Sequence, residues 1–154
     1  MPFDRFSGTS RLGAPPAEVF EFLLDPHSYI ELAPLIVAVR DIRRDGDSIR
    51  YVSVERFRVG PFRWDNPIDV TMTPTVPGHT LRSSVVSPGG VRLESTLTLA
   101  DAVGGGSEAT ETIELRSPTL LHSFVLRKAR EGQDGRLTAL AARFPAPLRR
   151  DRQS

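Results

Sequence analysis

Residues 120–144, LLHSFVLRKAREGQDGRLTALAARF, form the only long segment in the second half of the chain whose apolar positions recur every three to four residues. Leu121, Phe124, Val125, Ala129, Leu137, Leu140, Ala141 and Phe144 make one stripe, with Arg127, Lys128, Arg130, Glu131, Asp134 and Arg143 mostly off it. At 1.5 Å per residue such a helix is roughly 37 Å long, enough to cross a sheet. Gly132 and Gly135 interrupt it, each costing about 1 kcal/mol relative to alanine. The segment therefore either kinks there or uses small residues to leave room against whatever it covers.

What it must cover lies between residues 35 and 117, where the apolar period is 2 rather than 3.6. Leu35 to Arg43 reads as a strand, turned by Asp45-Gly46-Asp47, and Ser48 to Val59 follows up to the turn at Gly60-Pro61. From Phe62 to Thr73 the alternation is clear: Phe62, Trp64, Ile68, Val70 and Met72 face one way, Arg63, Asp65, Asp69, Thr71 and Thr73 the other. Thr80 to Ser87, a strand holding Val91, Leu93, Leu97 and Leu99, and Ser107 to Arg116 complete six strands, separated by Pro77-Gly78, Pro88-Gly89-Gly90 and Gly104-Gly105-Gly106. Turns this short imply antiparallel neighbours, because parallel pairs need long crossovers.

Ahead of this block, Phe6 to Leu12 alternates as a first strand. Ala14-Pro15-Pro16 stops it and opens a helix with Val19, Phe20, Leu23 and Leu24 on one face, ended by Asp25-Pro26. A second helical piece spans Ser28 to Leu32, before Pro34. The predicted class is α+β, in the order β-α-α, six strands, then α. One domain is expected over residues 1–146, with a flexible basic tail at 147–154 holding Arg149, Arg150 and Arg152.

Composition narrows the function classes. A formal net charge of +1 argues against nucleic acid as a partner. Of 20 basic residues Lys128 is the sole lysine, which, with many Ala, Gly and Pro, suggests GC-rich codons and a bacterial source. Cysteine is absent, excluding disulfides and thiolate chemistry. With no apolar run near 20 residues and no signal-like N-terminus, no stable membrane insertion and a cytoplasmic location are expected. No phosphate-cradling or nucleophile-elbow motif occurs, and His27, His79 and His122 lack metal-ligand spacing, so neither cofactor nor metal is expected. Each histidine is read as a solvated loop or helix-end residue.

The first strand, followed by Ala14-Pro15-Pro16-Ala17-Glu18-Val19-Phe20-Glu21-Phe22-Leu23, then Asp25, Tyr29 and Pro34, resembles the N-terminal signature of the START/Bet v 1-like (SRPBCC) superfamily, the group described as polyketide cyclase/dehydrase-like. Element order agrees from about Phe6 to Phe144. The resemblance implies a helix-grip fold: a curved antiparallel sheet of about seven strands wrapped on the C-terminal helix, with a deep cavity between them for apolar or aromatic small molecules. That superfamily includes lipid carriers, hormone receptors and aromatase/cyclases, so the fold alone leaves function open. The two glycines in the last helix depart from the usual unbroken pattern.

The inner face then follows from parity. It would hold Ile49, Tyr51, Ser53, Glu55, Phe57 and Val59 on one strand, and Trp64, Asn66, Ile68 and Val70 on the next. Ser95 and Leu97 lie on a later strand, Glu111 lies in register with Ala109, Ile113 and Leu115, and Phe124, Lys128 and Gly132 lie on the covering helix. A few polar groups on an apolar wall is the composition of a ligand pocket. A β-bulge would instead turn Glu55 or Glu111 to water, and an arginine such as Arg56, Arg82 or Arg130 would make either one structural. Left buried and unpaired, each would have a raised pKa and suit general-acid work. Trp64, Tyr51 and Phe57 serve either to stack on a flat ligand or simply to pack. The leading expectation is a non-catalytic binder or carrier of a hydrophobic small molecule, monomeric or homodimeric. Its rivals are an aromatase/cyclase-like enzyme using Glu55 or Glu111, and a partner protein of toxin–antitoxin or assembly-factor type acting through its surface.

Overall fold

Alternating side chains and glycine-bearing turns fold the chain into seven antiparallel strands, seen in a computed structural model that describes residues 1–146. The order of elements is β1 (Phe3–Leu12), α1 (Pro16–Leu24), α2 (Ser28–Leu32), β2 (Ile36–Asp45), β3 (Ser48–Val59), β4 (Phe62–Val76), β5 (Thr80–Ser87), β6 (Val91–Asp101), β7 (Ser107–Arg116) and α3 (His122–Arg143). In space the strands run β1-β7-β6-β5-β4-β3-β2, so the first strand pairs with the last, and β1 and β2 form the two edges. This is the α+β helix-grip arrangement. The tail expected at 147–154 lies outside the described residues.

Local chemistry explains most boundaries. Pro16 occupies the first turn of α1, where its missing N–H costs nothing, and Asp25 ends the helix ahead of Pro26. Gly60, at φ +56°, makes the turn from β3 to β4 that a side-chain-bearing residue adopts only under strain. Strands β1, β2 and β4 are longer than alternation predicts, because pairing with a neighbour extends them past the last patterned residue.

Helix α3 is unbroken through Gly132 and Gly135, and it runs along β1 and β7 instead of crossing the whole sheet. His122 meets Asp4, Arg130 stacks over Phe6, the Ser10 hydroxyl donates to the Leu137 carbonyl at 3.0 Å, and Gly13 N–H donates to Phe144 O at 2.8 Å. Gly8 permits this approach: a Cβ there would stand 2.8 Å from Leu137 Cδ1. The helix face also differs from the expected stripe. Leu121 and Phe124 are exposed, whereas Gln133 is buried with Leu137 and Leu140. The reason is beneath the helix, where a carboxylate on β7 satisfies polar groups at 133 and 136.

With α3 over one side, α1 and α2 close only one end of the sheet. There Leu12, Val19, Phe20, Leu23, Leu32, Ile49, Met72, Leu81, Leu99 and Leu140 form the core. At the other end, where β3 turns into β4 and α3 begins, the same inner-facing alternation continues without a cover. No helix among the described residues is long and apolar enough to cross a membrane.

Candidate functional site: an open cleft with a charged floor

Burial along the inner face falls off steadily toward the uncovered end. On β3 it passes from Tyr51 and Ser53, at 5% and 1% exposure, through half-buried Glu55 and Phe57 to Val59 at 62%. On β4 it passes from Met72 and Val70 through half-buried Ile68 and Asn66 to Trp64 at 49%. Ser83 and Val85 on β5 and Leu93 on β6 are likewise half-buried, while Ser95 and Leu97 are buried. Only β7 stays buried to Leu115, because α3 lies on it. The result is a cleft walled by β3–β6 and the flank of α3. It opens between the β3–β4 turn and the start of the helix, where Phe62, Trp64, Leu121 and Phe124 are exposed.

Its floor is built around Glu111. Arg136 on α3 donates from Nη2 to Glu111 Oε1 at 2.7 Å, and Ser95 Oγ donates to Oε2 at 2.9 Å. Gln133 Nε2 donates to the Glu111 carbonyl at 3.0 Å and lies 3.3 Å from Oε1. Burial alone would raise the Glu111 carboxyl, but the Arg136 charge and these hydrogen bonds outweigh it and hold it below the ordinary carboxylate value. Arg136 keeps 26% of its side chain exposed, so the ion pair is not sealed. Gly132 lies one turn back, and a Cβ there would sit 3.6 Å from Arg136 Nη1.

Two tyrosines share this floor. Tyr29 from α2 and Tyr51 from β3 lie 6.5 Å apart, nearly parallel. Tyr29 donates to the Leu23 carbonyl at 2.9 Å. Burial raises the pKa of both phenols, against the pull of Arg136, so both remain protonated. Two residues along from Tyr51, the hydroxyl of Ser53 is wholly buried and has no hydrogen-bond partner among the described residues. An orphaned buried hydroxyl costs about 1–3 kcal/mol.

Glu55 stands higher on the wall. Its carboxyl is raised by burial, with the Asn66 side chain and the Arg136 charge pulling partly the other way. The β3–β4 register is continuous from Ile49 to Val59, so no bulge in that pair turns Glu55 outward. Asn66 donates to Ser87 Oγ at 3.2 Å, and Phe57 stacks on Trp64 at 5.6 Å.

Tyr51, Ser53, Glu55, Phe57, Trp64, Asn66, Ile68 and Ser95 thus share the inner face of the sheet, with Glu111 beneath α3 and Gly132 on α3 one turn before Arg136. Val70 and Leu97 sit in the core. Phe124 lies at the mouth, half-exposed under Arg127 and Lys128, and Lys128 pairs with Glu131 away from the floor. The arginine partner of Glu111 is Arg136, not Arg56, Arg82 or Arg130; Arg56 instead pairs with Asp65 on the outer face at 2.8 Å. Tyr29, Gln133 and Arg136 are the floor residues that sequence reasoning passed over. Their signal was present: Gln133 and Arg136 fall at helical spacing from Ala129, Leu137 and Leu140, on the face that packs. His122, read as solvated, is not. Its Nε2 donates to Asp4 Oδ2 and its Nδ1 meets Ser117 Oγ, both at 2.6 Å, which ties the start of α3 to β1. Among the described residues no cluster of three His, Asp or Glu side chains is placed to hold a metal ion. A groove of about 680 Å³ is lined by Asp41, Arg43, Arg50 and Asp69 together with Tyr51 and Val70.

A curled antiparallel sheet, a flanking C-terminal helix and a polar-floored apolar cleft define a helix-grip protein. Residues 4–146 match the model of one such family, and the chain belongs to it: polyketide cyclase / dehydrase and lipid transport. No curated protein sequence matches. Solved structures similar in fold include the Zhui aromatase/cyclase from Streptomyces sp. R1128 (TM-score 0.77, 12% identity, covering 92% of this chain and 93% of that one). A START superfamily protein from Mycobacterium smegmatis is also similar (0.74, 12%, 91% and 96%), as is the two-domain aromatase/cyclase BexL (0.74, 16%, 94% of this chain and 50% of that one).

Proposed function

We propose that the chain binds a hydrophobic small molecule, flat or acyl-chained, in the cleft, with an oxygen-bearing end at the floor. The observation that carries this reading is the exposure gradient: apolar side chains keep the inward parity of a core, yet α3 does not cover them. Leaving an apolar wall open forfeits about 25 cal/mol for each Å² not buried, a loss that an apolar ligand restores. The floor supplies the orientation. Arg136, whose side chain keeps 26% of its surface exposed, is the charged donor on offer to a carbonyl, phenol or carboxylate oxygen, and the protonated Tyr51 phenol lies within the reach of its field. Phe57 and Trp64 stack at the mouth.

The test is native mass spectrometry of gently purified protein, joined to Trp64 fluorescence titration with fatty acids, sterols, flavonoids and aromatic polyketides. At least one class should quench or shift Trp64 emission saturably, and Arg136→Met should weaken it. No retained ligand and no response to any class would overturn the reading.

A second reading, catalysis of the aromatase/cyclase kind, is favoured by one observation: Glu55 is a half-buried carboxyl with a raised pKa, reaching the cleft from its wall. A group so placed is able to carry a proton to a bound poly-β-ketone. Glu111, held ionised by Arg136, is suited to anchoring the floor and not to donating protons. Under this reading Glu55→Gln abolishes turnover while leaving binding intact.

A further inference from the structure

The β3–β4 turn extends past the strands on either side of it. Register pairing of β2 with β3 ends at Ile36↔Glu55, and that of β4 with β5 ends at Asp69↔Val86. From Phe57 to Trp64 the ribbon is two-stranded, a form with little stability of its own in water. Its inner side is apolar and open: Val59 stands opposite Phe62, which is 71% exposed, and Phe57 lies opposite Trp64. Its outer side places Arg58 directly opposite Arg63. Like charges across a strand pair repel, and among the described residues neither arginine forms an ion pair, although the Arg63 charge also acts on Asp65. The only carboxylate of the tip, Asp65, is already held by Arg56.

The start of α3 lies at the same end of the sheet, because it follows directly on the last residues of β7. It repeats the pattern on the opposite rim. Leu120, Leu121 and Phe124 are exposed, and Arg127 and Lys128 stand 5.7 and 5.8 Å from the centre of the Phe124 ring, Lys128 also pairing with Glu131 at 3.5 Å. The chain as a whole carries a net charge of only +1, so this pairing of bare apolar tips with cationic flanks is a local feature of the cleft mouth.

We propose that this end of the molecule docks on the surface of an anionic phospholipid bilayer. The two apolar rims enter the headgroup–acyl boundary, and Arg58, Arg63 and Arg127 lie among the phosphates. A bilayer fits both rims together, because it needs no shape complementary to two separate protrusions. It neutralises the Arg58–Arg63 repulsion, and it receives aromatic side chains with adjacent cations in the way interfacial anchors require. It also apposes the cleft mouth to the phase in which an apolar ligand is dissolved. The proposal rests on the patch and not on the identity of the cleft ligand.

Flotation of the full chain with phosphatidylcholine vesicles and with phosphatidylcholine–phosphatidylglycerol vesicles tests it. Binding is expected with the anionic vesicles alone, weakening as salt rises, with a blue shift of Trp64 emission. Arg58→Glu combined with Arg63→Glu should reduce vesicle affinity roughly 30-fold or more. Phe62→Ser should reduce it independently. The charge-reversed variant should keep the native melting temperature and the response to whichever soluble apolar probe the wild-type cleft accepts. Equal flotation with neutral vesicles, no flotation with either kind (including the case where the patch binds an acidic protein instead), or undiminished binding by the charge-reversed variant would overturn the proposal. A wild-type chain that floats but takes up no soluble probe would sink the cleft reading and leave the docking surface standing.

Discussion

The two ends of this sheet are made of the same strands with the same alternation, yet they do different work. At the closed end, Leu99, Met72 and Leu81 are covered by α1, α2 and the last turns of α3, and almost nothing polar intrudes. At the open end, Phe57, Val59, Phe62 and Trp64 continue the inward parity into solvent. Between them lies the Glu111–Arg136 floor, where α3 changes from packing on the core to flanking the cleft. The difference teaches that inward-facing apolar parity marks a wall, and that the cover over it decides whether the wall is core or binding surface.

The sharpest way to break this comparison is to truncate both ends. Leu99→Ala and Leu140→Ala should each cost about 3 kcal/mol in urea unfolding, as large-to-small core changes do, whereas Val59→Ala should cost less than about 0.5 kcal/mol. Equal costs would mean that the open end is packed in solution. The floor comes next. Glu111→Gln leaves the Arg136 charge uncompensated and should cost about 3 kcal/mol. The folded Glu111 carboxyl lies below its ordinary value of 4.5. Its contribution is therefore complete above that pH and lost as pH falls through the folded value. The Glu111→Gln variant should lack this acid-dependent loss.

A smaller effect with opposite signs on stability and binding is expected at Gly132. Gly132→Leu should raise stability by up to about 1 kcal/mol through helix propensity, yet weaken any cleft ligand at least roughly tenfold by projecting beside Arg136 into the floor. Glu55 provides the smallest and most diagnostic change. Its folded pKa is raised above 4.5, so its contribution is present below that value and is lost as pH rises through the folded one. Glu55→Gln should therefore give a slight gain near neutral pH. A loss there would mean that Glu55 is paired in solution.

Much of this architecture was legible in the chain. Period-2 patterning with glycine and proline turns located strands β3 to β7 closely, and the Ala14-Pro15-Pro16 junction placed α1. Parity assigned Ser53, Glu55, Ser95 and Glu111 to the inner face, which is where they lie. The helix was harder to read, because Leu121 and Phe124 are as apolar as core residues. A stripe counts hydrophobicity and carries no information on which half of a helix has a sheet beneath it. Arg136 and Gln133 were overlooked for the converse reason: a charge or amide on a packed face is tolerable only if a partner waits across the interface, and that partner is 25 residues away for Arg136. His122 falls in the same class, its Asp4 partner being 118 residues distant.

By itself the sequence determined the order of the elements, the antiparallel pairing of neighbours along the chain and the side of each strand that turns inward. These depend on backbone geometry and residue spacing within a dozen positions. Tertiary structure alone decided that α3 settles along β1 and β7, with Gly8 admitting its close approach, and that Arg136 meets Glu111. It also decided that half of an apolar wall stays open. Each of these is a contact between distant segments, whose energy exists only once the sheet has curled and the partners face each other.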